Sequence, residues 1–470
     1  MKIQQIYTGC IAQAAYYLEN KGEVAIFDPL REVQPYIDKA NLDHAKIKYI
    51  FETHFHADFV SGHLDLAKKT NAKIVFGPTA KPEFDAIIAT DNQEFKVGDY
   101  TIKAIHTPGH TLESTCYLLI DENGKEHGII TGDTLFIGDV GRPDLAQAFV
   151  EDLTQEKLAS YLYDSLRNKI MPLSDDLIVY PSHGAGSACG KNMSKETTDT
   201  LGNQKKTNYA LRATMTREEF TKELLDGLGA PPAYFPQNVM MNIQGYESLD
   251  SVIEKSKKPL SAIEFNAIAN ETDAVILDVR HENDFVKCHI PRSIFIGLQG
   301  NFAPWVGSLI MNTKQPILLI TPDGMENETL TRLSRVGFDN VLGYLDGGIE
   351  TWKHAGFETD SVHSISPEQF SNEVKSESIV VDARKPSEYD AEHVENAINL
   401  PLDTINSHLD LVPKEENFYI HCAGGYRSVI MASILQSRGS HHFTNIEKGI
   451  SGIKNTNVPM TVFVCPSTLK

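Results

Sequence analysis

A chain of 470 residues is long enough for about two to four domains, each with its own buried core. With 41% hydrophobic and 23% charged residues it has the composition of an ordinary globular protein, and its formal charge of −20 argues against nucleic acid or an anionic membrane as a main partner. The opening MKIQQIYTGC lacks an apolar signal core and no apolar run is long enough to span a bilayer, so the cytoplasm is the expected compartment.

Residues 1 to about 190 alternate short apolar runs with Gly/Pro turns and helix-like segments, the pattern of a layered α/β domain. The polar residues that look chemical sit where apolar runs stop. YIFET runs up to His54, TIKAIHTPG to His110, GIITG to Asp133 and LIVYPS to His183, so four strand ends are expected to converge on one rim. THFHADF (53–59) has the His-x-His-x-Asp spacing of a metal-binding loop, with Phe59 where many metallohydrolases place another histidine.

These four separated motifs, in this order, resemble the metallo-β-lactamase fold, an αββα sandwich. In dinuclear members, the resemblance implies, His54, His56 and His110 hold one metal. Asp58, the residue at 59 and His183 hold a second, with Asp133 bridging. Phe59 has no lone pair to offer, so water activation between two zinc ions is not expected.

His54, His110 and Asp133 still make two histidines and one carboxylate for one face of a single ion, the facial triad suited to non-haem Fe(II). That set resembles the persulfide dioxygenases of the ethylmalonic-encephalopathy protein group. The resemblance implies one Fe(II) per chain on those three ligands, with His56, Asp58 and His183 behind them orienting ligands or moving protons. It implies a low-molecular-weight thiol persulfide and O₂ as substrates and sulfite as product. Zinc is the alternative metal, in a thioester hydrolase of the glyoxalase II kind with His54, His56 and His110 as ligands.

GDVGRPDL (138–145) fits the same family through Gly141-Arg142-Pro143-Asp144, where Arg142 and Asp144 either brace a turn or meet substrate. HGAGSACGK (183–191) departs from the glutathione-persulfide enzymes, which carry an acidic residue and a tyrosine after this histidine, and resembles bacterial dioxygenase–rhodanese fusions. The thiol carrier then need not be glutathione. Cys189 in this loop is either a sulfur relay or an idle thiol.

Residues 191–258 read as helices and connectors. TREEFTKELLDGL (216–228) starts with a capping box, AYFPQNVMMNIQGY reads as irregular, and KSKKP (255–259) reads as a linker. The expected first domain is therefore 1–250, its core 1–190. Domains at 259–361 and 364–470 follow.

Those two are a repeat: VILDVRHENDFVKCHIPRSIFI matches IVVDARKPSEYDAEHVENAINL, placing Asp278 on Asp382, Arg280 on Arg384 and His289 on His393. Each copy is a compact α/β unit. The second reads FYIHCAGGYRSVIMASIL (418–435): a strand delivers Cys422, Gly424 and Gly425 relax the turn, and Arg427 and Ser428 open a helix. Backbone N–H groups, the helix N-terminus and the guanidinium favour an anion at the sulfur, so a thiolate able to carry a persulfide is expected. This spacing, with DAR and HVENAINLPL, resembles rhodanese sulfurtransferase domains, whose sheets are parallel. Their chemistry implies sulfite and thiosulfate as further partners. The first copy has Thr321 in place of Cys422 and no basic residue in its turn, as in a copy that has lost its chemistry. Cys288 reads as a packed thiol, and homo-oligomerisation is left open. A docking protein built on rhodanese folds is the third reading.

Overall fold

The computed structural model describes residues 1–145, 153–414 and 416–465. It divides into two compact units, residues 1–252 with 333–337 and residues 253–332 with 338–470.

The first unit is built on two six-stranded sheets. One contains, in spatial order, β1 (Ile3–Thr8), β2 (Gln13–Asn20), β3 (Glu23–Phe27), β4 (Lys46–Phe51), β5 (Lys73–Phe76) and β6 (Ile87–Ile88). The other contains β7 (Glu94–Val97), β8 (Tyr100–His106), β9 (Thr115–Ile120), β10 (Glu126–Gly132), β11 (Ile178–Pro181) and β12 (Asp199–Thr200), again as neighbours in chain order. Each sheet is mixed: β1 to β3 pair antiparallel and β3 to β6 parallel, while β10 and β11 are a parallel pair in an otherwise antiparallel sheet.

Residue alternation assigns the two faces. On β9, Tyr117 and Leu119 enter the core between the sheets with Tyr16, Phe27, Phe51 and Ile102. Cys116 and Leu118 face the other way, into a second core shared with Leu162, Leu166, Leu201 and Phe220 from covering helices. This is the helix–sheet–sheet–helix sandwich expected from the sequence. Among its consequences is a common rim: β3, β4, β8, β10 and β11 all end there, and His54, His110, Asp133 and His183 follow within four residues of a strand end.

Phe51 anchors the inter-sheet core, with ring centroids 5.1 Å from Phe27, 4.9 Å from Tyr117 and 5.3 Å from Phe95. Phe51→Ala is expected to destabilise this unit by about 3–5 kcal/mol through lost burial plus the cavity left behind, read as a lower urea midpoint.

Residues 191–258 hold more helix than the sequence suggested. Arg217–Leu225 begins at the expected capping box of Thr216 and Glu219. The stretch read as irregular is in fact a helix, Phe235–Gln244, because Pro236 stands in its first turn, where no backbone N–H is needed.

The second unit holds two parallel five-stranded sheets. One has the order β13 (Pro259–Leu260), β17 (Val341–Leu345), β16 (Ile317–Ile320), β14 (Val275–Asp278), β15 (Ile294–Phe295). The other repeats it with β18 (Ser364–Ile365), β22 (Phe443–Ile446), β21 (Phe418–His421), β19 (Ile379–Asp382), β20 (Ile398–Asn399). The side chains that revealed the repeat are braces. Arg280 forks onto Asp278 and donates to Cys288 O, as Arg384 forks onto Asp382 and donates to Glu392 O. His289 stacks on Phe285 at 4.0 Å, as His393 stacks on Tyr389 at 3.7 Å.

Candidate functional site

His54, His110 and Asp133 are buried together at the rim, their ligating atoms within 4.8 Å of one another. Nε2 of His110 lies 3.4 Å from Asp133 Oδ2, and Nε2 of His54 lies 3.9 Å from the same atom. The backbone fixes which nitrogen is free. His110 Nδ1 donates to Arg142 O at 2.8 Å, leaving the Nε2 lone pair facing the cluster. Thr53 Oγ1 donates to Asp28 Oδ2 at 2.9 Å, so it accepts from His54 Nδ1 at 2.9 Å and frees Nε2 likewise. Burial, with His56, His110 and His183 nearby, keeps His54 neutral well below the usual histidine range. His110 Nε2 and both oxygens of Asp133 have no hydrogen-bond partner among the described residues. Buried, converging and unsatisfied donors of this kind suit a metal ion.

His56 belongs to a different cluster. Its Nε2 lies 3.1 Å from Asp28 Oδ1 and 3.4 Å from Glu52 Oε2. Burial works against its charge, but the two carboxylates win and raise its pKa well above the ordinary value. His63 Nδ1, 3.5 Å from Glu52 Oε1, extends the cluster. Phe59 is fully buried with its ring 4.3 Å from the His56 ring. Asn242, on the helix read as irregular, donates to His56 O at 2.8 Å and Phe59 O at 2.9 Å, clamping the loop.

Asp58, His183 and Cys189 form a third buried group beside the first. His183 donates through Nδ1 to Ala12 O at 3.1 Å, and its Nε2 lies 3.5 Å from both Asp58 Oδ2 and Asp133 Oδ1. Burial and the carboxylates of Asp58 and Asp133 push the Cys189 thiol well up. Arg142 braces: it forks onto Asp144 at 2.7 Å per arm and donates to Ala188 O and Gly229 O.

In the second unit, β21 delivers a buried Cys422 to the turn, and Gly425 N–H donates to its Sγ at 3.1 Å. Gly425 has φ +109°, which a side chain would strain, and Gly449 presses so close that a Cβ there would stand 2.2 Å from Cys422 O. Gly424 has open space around it, and Ser428 Oγ ties back to Gly425 O at 2.9 Å. Both terminal nitrogens of Arg427 are engaged by Glu388, at 2.7 and 2.8 Å. In the first copy Glu326 stands where Arg427 would be, and its carboxylate accepts the Gly324 N–H at 3.1 Å. That turn is filled by its own anion.

Residues 8–183 match the family model for the metallo-beta-lactamase superfamily, and residues 261–355 and 366–456 match the rhodanese-like domain. A metallo-beta-lactamase of Staphylococcus aureus subsp. aureus COL is 30% identical with a TM-score of 0.64, covering 73% of this chain and 98% of that one. The chain belongs to the metallo-beta-lactamase superfamily. Two rhodanese domains follow its metallo-beta-lactamase domain. Among curated relatives, a probable hydroxyacylglutathione hydrolase of Schizosaccharomyces pombe is 30% identical over 184 residues, 38% of this chain and 66% of that protein. A hydroxyacylglutathione hydrolase of Rhizobium etli is 33% identical over 156 residues, 32% of this chain and 54% of that protein. The chain thus spans 66% and 54% of the length of these two relatives.

Within the first unit, sequence reasoning missed Asp28, Glu52, His63 and Asn242. Asp28 and Glu52 carry the same signal as the candidate ligands, an acid at the end of an apolar strand (AIFD, YIFE), but acids there are common. Phe59→His would return an imidazole to the second metal position. After zinc exposure the variant is expected to hold about two ions per chain against about one for the parent, measured by elemental analysis.

Proposed function

We propose that the metallo-beta-lactamase domain is a mononuclear, iron-dependent persulfide dioxygenase and that the second rhodanese domain is a sulfurtransferase acting through Cys422. One observation carries the first half: His56 Nε2 lies 3.1 and 3.4 Å from Asp28 and Glu52 with Phe59 packed on its ring, while His54, His110 and Asp133 converge as a separate set of two imidazoles and one carboxylate. A ferrous ion on those three residues would supply adjacent open positions for O₂ and for the terminal sulfur of the persulfide. The overall change is RSSH + O₂ + H₂O giving RSH and sulfurous acid, which ionises to sulfite.

The chain's own residues orient and exchange protons. Arg142 O and Thr53 Oγ1 hold the two imidazoles in the tautomer that presents Nε2. We assign His183 Nε2, at 3.5 Å from Asp58 and from Asp133, the role of accepting a proton released by the reacting persulfide and sharing it with Asp58. Burial raises the Asp58 pKa against the pull of His183, which suits a carboxyl that takes up a proton. In the second rhodanese domain the Gly425 N–H supports negative charge on Cys422 Sγ, the atom that attacks the sulfane sulfur of a donor. The first copy, with Thr321 and a turn filled by Glu326, is read as scaffold.

A second reading is a zinc thioester hydrolase of the glyoxalase II kind. Two observations favour it: the curated relatives are hydroxyacylglutathione hydrolases, and His56 Nδ1 is buried without a hydrogen-bond partner among the described residues. Anaerobically purified protein separates the two. The dioxygenase reading expects about one iron per chain and O₂ uptake on adding a thiol persulfide; zinc with thioester cleavage and no O₂ uptake supports the hydrolase. Cys422→Ser is expected to keep O₂ uptake and lose at least about 100-fold of sulfur transfer, since no other group in that turn supplies the nucleophile.

A further inference from the structure

The Cys422 turn has an oddity for a loop that handles anions: its arginine is already taken. Arg427 meets Glu388 through two parallel hydrogen bonds of 2.7 and 2.8 Å, the strong bidentate geometry of guanidinium and carboxylate. The two side chains are largely sheltered, with 17% and 36% of their surfaces exposed. Glu388 sits in the first turn of the helix Pro386–Ala391 and is also fixed by the Lys385 N–H at 3.2 Å. Burial opposes its ionisation, but the bonds to Arg427 hold the carboxyl below its usual range, so the pair is fully charged at neutral pH and sums to zero. The first copy has no such pair: Asp284 stands at the place of Glu388 and Glu326 at that of Arg427. The neutralised arginine therefore accompanies the thiol.

Two classes of donor can charge a cysteine with sulfur, and they differ in charge. With a persulfide, Cys422 thiolate attacks the outer sulfur, a new S–S bond forms, the donor S–S bond breaks, and its electron pair leaves on the carrier thiolate. The persulfide proton stays on the transferred sulfur. With thiosulfate the same attack expels sulfite, so a dianion must enter and a dianion must leave. A free guanidinium would favour the second course far more than the first, because Coulomb energy scales with the charge brought up to it.

We propose that Glu388 is a specificity-determining residue that cancels the field of Arg427 and so turns the Cys422 loop towards thiol persulfide donors and away from thiosulfate. The assignment rests on the sulfurtransferase reading of this domain.

The test is single-turnover charging of Cys422 in the full-length protein, read by mass as the gain of one sulfur, with thiosulfate or 2-mercaptoethanol persulfide as donor. In Glu388→Gln the ratio of the second-order charging rate constant for thiosulfate to that for the persulfide is expected to rise about three- to tenfold, chiefly through half-saturation at lower thiosulfate and less so at high salt. Glu388→Ala, with folding checked by its melting curve, is expected to do the same, and adding Arg427→Gln to either variant should erase the gain. An unchanged ratio in a folded variant that still charges overturns the role of Glu388, as does equal improvement with both donors or a gain that survives loss of Arg427. Failure of the parent protein to charge Cys422 from either donor overturns the sulfurtransferase reading itself.

Discussion

Asp28 sits at the end of β3 in a left-handed backbone conformation, φ +47°, and is fully buried. Its two oxygens accept the Thr53 N–H at 2.8 Å, the Thr53 hydroxyl at 2.9 Å and the Ser182 hydroxyl at 2.9 Å, and face His56 Nε2 at 3.1 Å. Those partners belong to the loop after β4 and to the end of β11, one in each sheet. A carboxylate so thoroughly paired has its burial cost offset, and it holds the His54 loop and the His183 segment in one register. Through the Thr53 hydroxyl it also decides which His54 nitrogen is free. The metal-facing geometry thus begins one residue past a strand that carries no candidate ligand.

On the proposed single-ion reading, the same carboxylate accounts for a His-x-His-x-Asp loop that withholds one of its donors. Asp28 and Glu52 lie 3.1 and 3.4 Å from His56 Nε2, and the Phe59 ring lies against it. A buried imidazole whose Nε2 lies beside two carboxylates is costly to move. Removing a partner would strand the others in a medium that solvates them poorly. On that reading, the ligand count at the rim is a property of the packing beneath it as much as of the ligands.

Much of this was legible in the sequence, and the reason is geometric. Strands end where apolar runs end, and parallel or co-directed strands end at one rim, so His54, His110, Asp133 and His183 could be brought together from their positions alone. The repeat was legible because Asp278/Arg280 and Asp382/Arg384 brace equivalent turns in identical strand orders. The pairing of His56 was not legible, since Asp28 lies 28 positions away in the chain and an acid at a strand end is ordinary. Nor was the Arg427–Glu388 pair: electrostatic complementarity between residues on different helices leaves no periodic trace. The helix Phe235–Gln244 was missed because Pro236 reads as a breaker unless its place in the first turn is known. Its Asn242 then turned out to clamp the very loop in question.

The account stands on a single ion between two histidines and one carboxylate. Metal-edge X-ray absorption on protein purified without oxygen and without added metal reads that directly. The expected spectrum is that of ferrous iron with nitrogen and oxygen neighbours and no metal–metal scattering. Zinc with a second ion at about 3.5–4 Å, the spacing of two-metal hydrolases, would contradict it.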